Sequence, residues 1–421
     1  MSASTIVFLW MAFFVLCPVL DVGGHFIYPP EIFIYIAFVA RLLFSRGSQA
    51  GNADMPRSAI RAHVVYFALF LAVALWTASF ADQSLNNYDV YILRNVLQVV
   101  LCIYLLGDKL RDIAEGPHLD RTLFRIILVL CIPALIVYMQ RLDLFSMRSL
   151  ITTLYKPQFF FLDEKSFASF RYTSVFKDFF TAAVYFTMLA SFMFYFTLRT
   201  TLSSMHRFAL TALLVMVYGA QLFVARSSLV AIPILIGATA LYAARLNVHY
   251  VMGRLAPTAL VVVAAGFFGT QYLFETGLAN SKWVKEAFAF VDDSTKSKSD
   301  SATVMQQWNK SFYRQIEKRD LLWQPHHAYD LNESKNPGLY TDSFYGQEVY
   351  RFGIYGLVAY GVLVAFMLAA SWRGNRYVFL LVLALGVLNI KGGNTFFMPK
   401  VIYLYALILA VTPLLEKRRT V

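Results

Sequence analysis

Long apolar runs recur along this chain, and their pattern sets the first expectation. Residues 32–44 (IFIYIAFVARLLF) and 229–244 (LVAIPILIGATALYAA) show no alternation of apolar and polar positions. A membrane-spanning strand alternates over about ten residues, so these runs predict helices in lipid and not a barrel. Twelve spans are predicted, at 4–20, 31–44, 63–80, 89–106, 122–140, 177–198, 208–224, 229–244, 257–274, 353–372, 377–391 and 399–415. Several are short for a bilayer, which predicts thin or interrupted helices.

Two polar stretches break the series, Arg141 to Phe176 and Glu275 to about Phe352. Both are too polar to span and too long for simple connections, a feature of functional loops. In the second, residues 301–318 place Val304, Trp308, Phe312 and Ile316 four apart, one apolar stripe on a helix. Packing on the bundle is the plainer reading of that stripe, and lying at the membrane surface is the other. Residues 292–301 (DDSTKSKSDS) read as a solvated connector. The chain then divides into residues 1–274 (spans one to nine, with the loop 141–176), residues 275–352 (the large loop) and residues 353–421 (spans ten to twelve and a basic tail).

Composition agrees with lipid as the solvent. Hydrophobic residues make up 58% of the chain, charged residues 15%, and the mean hydropathy is +0.56. A soluble domain carries about a quarter charged residues. The net charge of +12 comes largely from basic residues in short connections, among them Arg46, Arg57, Arg61, Lys109, Arg111, Arg199, Arg207, Arg245, Arg254, Arg373 and Arg376, and from the tail at Lys417 to Arg419. With twelve spans and a cytoplasmic N-terminus, all of these lie inside, as the positive-inside rule requires. No basic cluster interleaved with aromatics points to nucleic acid. Cys17, Cys102 and Cys131 all lie in apolar runs and lack metal-ligand spacing. The first run has no basic flank or cleavage site, so it reads as a retained span.

The same topology places other charges outside. Arg94 sits about 7 Å inward from the outer end of span four. Burying an arginine costs roughly 3 kcal/mol, so it either snorkels or contacts an anion. Arg226 lies in VARSSL, the tight outer connection between spans seven and eight, and reads as a ligand for a substrate anion or for a lipid phosphate. Arg171 and Lys177 flank span six, Arg351 opens span ten, and Lys391 and Lys400 bracket the outer turn 390–400. Five separated places thus bring positive charge to one leaflet, which suits a polyanion. Arginine forks suit pyrophosphate in particular. His326 and His327 lack a third ligand, so no metal is expected. Asp342 reads equally as a general base for a hydroxyl and as a helix cap. Phosphate-binding loops, dinucleotide fingerprints and nucleophile elbows are missing from the sequence.

The order of these features resembles the superfamily of O-antigen polymerases (Wzy-type) and O-antigen ligases. ARSSL (225–229) is similar to the family's Ser-Arg motif. RYTSVFKDF (171–179) is similar to its Arg-x-x-Gly-x-Phe-x-Asp segment, with Ser174 in place of glycine. Asp342 to Gly356 resembles the segment that closes the long loop, with Tyr345, Gly353 and Gly356 in place. The ligases carry histidine then asparagine where this chain has Asp342 and Ser343, so the resemblance leans to the polymerases.

That resemblance implies an all-α, polytopic, GT-C-like bundle of about twelve transmembrane helices with a large, partly helical periplasmic loop. It implies a metal-independent inverting glycosyltransferase without cofactor in a bacterial inner membrane, both termini cytoplasmic. Donor and acceptor are undecaprenyl-pyrophosphate-linked oligosaccharides. Membrane lipid, a chain-length regulator and a flippase are the other implied partners, and nucleic acid is not one. Arg226 and Asp342 take the catalytic roles, Arg171, Arg226, Arg351, Arg94 and Lys391 hold pyrophosphate, and His327 and Tyr345 hold glycan. Aromatic residues of the loop (Trp308, Tyr313, Trp323, Tyr329, Tyr340, Phe344, Tyr345) supply sugar platforms. A ligase acting on lipid A-core is the alternative. A transporter fits less well, because it should carry charges near the midplane and paired broken helices.

Overall fold

The computed structural model describes residues 2–22, 25–44, 54–80, 85–114, 118–156, 172–224, 226–244, 320, 322–323, 343–391 and 394–417, with backbone alone at 21–22, 25–27, 44, 54–56, 226–230, 243–244, 373–374, 391 and 417. The predicted span 257–274, the stripe at 301–318 and the connector 292–301 lie outside the described residues. The architecture is helical. Its helices are α1 (Ala3–Leu16), α2 (Pro29–Phe44), α3 (Asp54–Phe80), α4 (Asn87–Ala114), α5 (His118–Leu130), α6 (Ile132–Leu142), α7 (Met147–Tyr155), α8 (Phe179–Arg199), α9 (Ser204–Ala220), α10 (Arg226–Ala244), α11 (Phe344–Gly374), α12 (Arg376–Leu388) and α13 (Val401–Lys417). A small antiparallel hairpin pairs β1 (Leu20–Val22) with β2 (His25–Ile27) between α1 and α2.

Among the described residues, six stretches are long and apolar enough to cross a membrane: Arg57–Phe80, Asn87–Ala114, His118–Leu142, Phe179–Arg199, Ser204–Phe223 and Phe344–Trp372. Shorter apolar helices stand at Ala3–Leu16, Ala231–Tyr242, Arg376–Leu388 and Val401–Glu416. Within the described residues, each predicted span overlaps a helix. The fifth is two helices, α5 and α6, meeting at Cys131 where Pro133 interrupts the backbone ladder.

Polar side chains mark where the helices begin. Asn86 accepts from the backbone N–H groups of Tyr88 (2.9 Å) and Asp89 (3.1 Å), while Asp89 accepts from that of Asn86 (2.8 Å), a reciprocal cap on α4. Asp178 caps α8 through Thr181 N (2.7 Å) and Asn375 caps α12 through Val378 N (3.1 Å).

The middle of the bundle is α8 and α13, buried on every side from Thr181 to Leu198 and from Val401 to Val411. A helix apolar all round belongs in such a place. In contrast, α2 exposes Ile32, Ile36, Val39, Leu42 and Leu43, a stripe that suits lipid contact. Packing pairs α3 with α4 and α11, α4 with α13, and α8 with α9 and α10.

Polar contacts define the two ends of the bundle. At one, Ser4 bonds Thr122 (2.6 Å), Asp120 accepts from Thr201 N (2.7 Å), Arg41 pairs with Asp108, and Arg199 pairs with Glu416 (2.8 Å). Both described termini are therefore at this end. At the other, the close of α1 meets the start of α13, and the start of α4 meets the start of α11. The start of α11 differs from the sequence reading. Helix begins at Phe344, nine residues before Gly353 (φ 63°, ψ −150°), which is a kink inside α11 and not its opening.

Candidate functional site

The second end gathers the short motifs. Segment 172–176 docks on the turn before α10, where Tyr172 N donates to the Phe223 carbonyl (2.9 Å). Ser174 in that segment has φ 52°, is buried, and is held by Gln140 Oε1 on its N–H (2.9 Å) and by the Pro133 carbonyl on its hydroxyl (2.7 Å). Arg148 of α7 donates to the carbonyls of Gln140 (2.8 Å) and Arg141 (3.2 Å) and to the Tyr172 hydroxyl (3.3 Å). Arg141 lies over the Phe223 ring at 6.0 Å. The motif after Arg171 and the turn that leads to Arg226 thus form one unit beside two further arginines.

A chain of aromatic rings links this unit to α11. The Arg351 guanidinium lies 3.8 Å from the centroid of the Tyr88 ring, Tyr88 and Tyr91 are 6.5 Å apart, and Arg94 lies 5.7 Å from Tyr91. Arg94 also pairs with Glu31 (3.4 Å) and stands within electrostatic range of Lys177, which is exposed. Arg351, Arg94 and Lys177 therefore share one arc. Its positive charge is opposed by Glu31 at Arg94, by Asp178 at Lys177 and by Glu348 at Arg351.

The densest polar group lies at the start of α11. Glu348 is 1% exposed and accepts from the Tyr88 hydroxyl (2.8 Å). Arg351 is 7% exposed, with a long contact to Gln347 (3.5 Å). At the kink, the N–H of Ile354 donates to the Leu322 carbonyl (2.9 Å), which ties the large loop to α11.

Other predicted residues take structural roles. Lys400 is no outer-face cation: it is buried, and its ammonium donates to the carbonyls of Val15 (2.9 Å) and Cys17 (3.2 Å) at the end of α1. The turn 394–400 likewise sinks into the bundle, with Thr395, Phe396 and Phe397 buried. Tyr155 of α7 seals the same corner by donating to the Leu16 carbonyl (2.5 Å), and burial, aided by the neighbouring Cys17 thiol, pushes its phenol up to about 12. Tyr345 donates its hydroxyl to the Gly386 carbonyl (2.6 Å) and is half-buried, while Phe344 is core and no sugar platform. Trp323 is exposed. Arg226 opens α10 and Lys391 ends a short turn after α12, and their side chains lie outside the described residues. Arg171, His326, His327, Asp342 and the remaining loop aromatics (Trp308, Tyr313, Tyr329, Tyr340) also lie outside them.

Sequence reasoning missed Glu31, Tyr88, Arg148, Glu348 and Asn394. Glu348 carried a signal, since a carboxylate three residues before Arg351 shares its helix face. The others are linked to the site only by folding. Compared with known proteins, the chain matches no family model and no curated sequence.

Proposed function

We propose that this chain is a membrane glycosyltransferase that polymerises polyprenyl-pyrophosphate-linked oligosaccharides at the periplasmic face of a bacterial inner membrane. The reading includes twelve spans in a GT-C-like bundle with both termini cytoplasmic. One observation carries it. The segment 172–176 and the turn before Arg226 are distant in sequence yet joined by a backbone hydrogen bond, and Ser174, standing where the resembled family has glycine, holds the positive φ that favours glycine. Gly353 supports it in the same way, since its φ and ψ belong to glycine alone. Direction adds to this. α10 closes near α12, its Tyr242 under Arg376, at the end that holds both described termini, and α11 opens at the opposite end.

In this reaction a hydroxyl of one lipid-linked unit attacks the anomeric carbon of another. The glycosidic bond forms as the sugar–phosphate bond breaks, the hydroxyl proton goes to Asp342, and polyprenyl pyrophosphate leaves. Attack opposite the leaving group inverts the centre. Arg226, with Arg171 and Arg94, stabilises the charge that grows on the pyrophosphate, in place of a metal.

Purified chain supplied with lipid-linked repeat units tests the reading. A ladder of lengths is the expected product, and Arg226→Ala should abolish it at unchanged protein level. A single transfer to lipid A-core would make the chain a ligase. Normal ladders from Arg226→Ala would remove the arginine from the chemistry.

A further inference from the structure

The group at the start of α11 has a composition that a pyrophosphate site should not have. Three side chains there are more than nine-tenths buried: Glu348 Oε2 and Arg351 Nε have no hydrogen-bond partner among the described residues, and Asn394 Nδ2 has at most one of its two N–H groups taken, by the Tyr66 hydroxyl. They surround two tyrosines. Tyr88 bonds Glu348 and carries Arg351 on its ring, and Tyr66 lies beside both Glu348 and Asn394. Buried polar atoms in native proteins are nearly always satisfied, so an acceptor and two donors left spare in one place point to a guest.

The guest's chemistry follows from the set. A pyrophosphate accepts hydrogen bonds and repels carboxylates. Here Glu348 sits one helical turn from Arg351, and Asp89 is close enough to Glu348 to act on its charge. A second carboxylate beside Glu348 disfavours a polyanion at this place. A sugar hydroxyl both donates and accepts, so neighbouring hydroxyls of one ring suit a carboxylate oxygen, a guanidinium N–H and an amide N–H together. Gly356 lets Glu348 pack close against α11, since a Cβ there would stand 3.2 Å from Glu348 Oε2 and 2.8 Å from Phe352 Cβ. The Leu322 carbonyl meets α11 at the kink, at Ile354.

We infer that Glu348, Arg351 and Asn394 form a binding site for a neutral, hydroxyl-rich sugar ring. Resting on the polymerase reading, this ring is the acceptor's terminal sugar. Arg351 then leaves the pyrophosphate set and joins the acceptor site.

Full-length protein in nanodiscs, titrated with two probes, tests the inference. One probe is oligosaccharide released by mild acid from the producing cell's own surface polysaccharide, and the other is undecaprenyl pyrophosphate. Glu348→Gln and Arg351→Gln should each weaken oligosaccharide binding about tenfold or more, the scale of a hydrogen bond to a charged group. Pyrophosphate-lipid binding should stay within about threefold. Tyr88→Phe removes only the hydroxyl that Glu348 accepts, and should give a smaller loss if the other two fold poorly. Oligosaccharide binding that is absent from the native protein, or unchanged in all three variants, overturns the site. So does a tenfold loss of pyrophosphate-lipid binding in Arg351→Gln. Native protein that binds the oligosaccharide in this variant-sensitive way but makes no ladder from lipid-linked units leaves the site standing and removes the polymerase reading.

Discussion

Gly353 holds φ 63° and ψ −150° within α11, a region that a side chain reaches only at a cost of about 1–3 kcal/mol. Gly353→Ala should therefore lower stability by that amount in a thermal unfolding series in detergent. It should also loosen the loop at Leu322, read as faster proteolysis of the large loop. Ser174 poses the opposite question, because a residue with a Cβ already occupies the left-handed region at φ 52°. Glycine there would relieve about 1 kcal/mol but would lose the hydroxyl's bond to the Pro133 carbonyl, worth about 1 kcal/mol. Ser174→Gly should thus be nearly neutral. Ser174→Ala keeps the strain and loses the bond, so it should be the more damaging of the two by about 1 kcal/mol in the same unfolding series.

Among the elements, the ends of α8 and α13 are tied by Arg199, 4% exposed, and Glu416, 21% exposed, with the Tyr195 hydroxyl on the same carboxylate at 2.7 Å. Removing one partner strands a charge out of water. Glu416→Ala should cost roughly 3 kcal/mol, while the paired change Arg199→Met with Glu416→Leu should recover most of it. A double-mutant cycle on thermal stability measures the difference. Helix positions were legible in the sequence because each crossing must be a nearly continuous apolar run. The start of α11 was not. Residues 344–352 carry Glu348 and Arg351 and read as polar loop, yet they are helical, with Tyr88 of α4 meeting both charges. Lys400 was misread for a related reason. Sequence shows a cation after a turn, but only packing shows that its ammonium is taken up by the carbonyls ending α1.

For the whole molecule, the arrangement of two polar ends makes a topological prediction. Cysteines placed at Ser299 and Ser334 should react with a membrane-impermeant thiol reagent on intact cells, and labelling that appears only after lysis would invert the orientation. By itself the sequence determined the class: a chain of apolar helices, six of whose described stretches are long and apolar enough to cross a membrane. Lipid imposes this one segment at a time, because an unpaired backbone group in hydrocarbon has no other partner. Tertiary structure decided which charges remain available to a ligand. Lys400 is consumed by α1 and Arg351 is balanced by Glu348, whereas Arg94, though paired with Glu31, keeps its side chain partly exposed. Those pairings join side chains from separate helices, or make loop into helix, so they depend on how the crossings pack, which the hydropathy of each crossing does not encode.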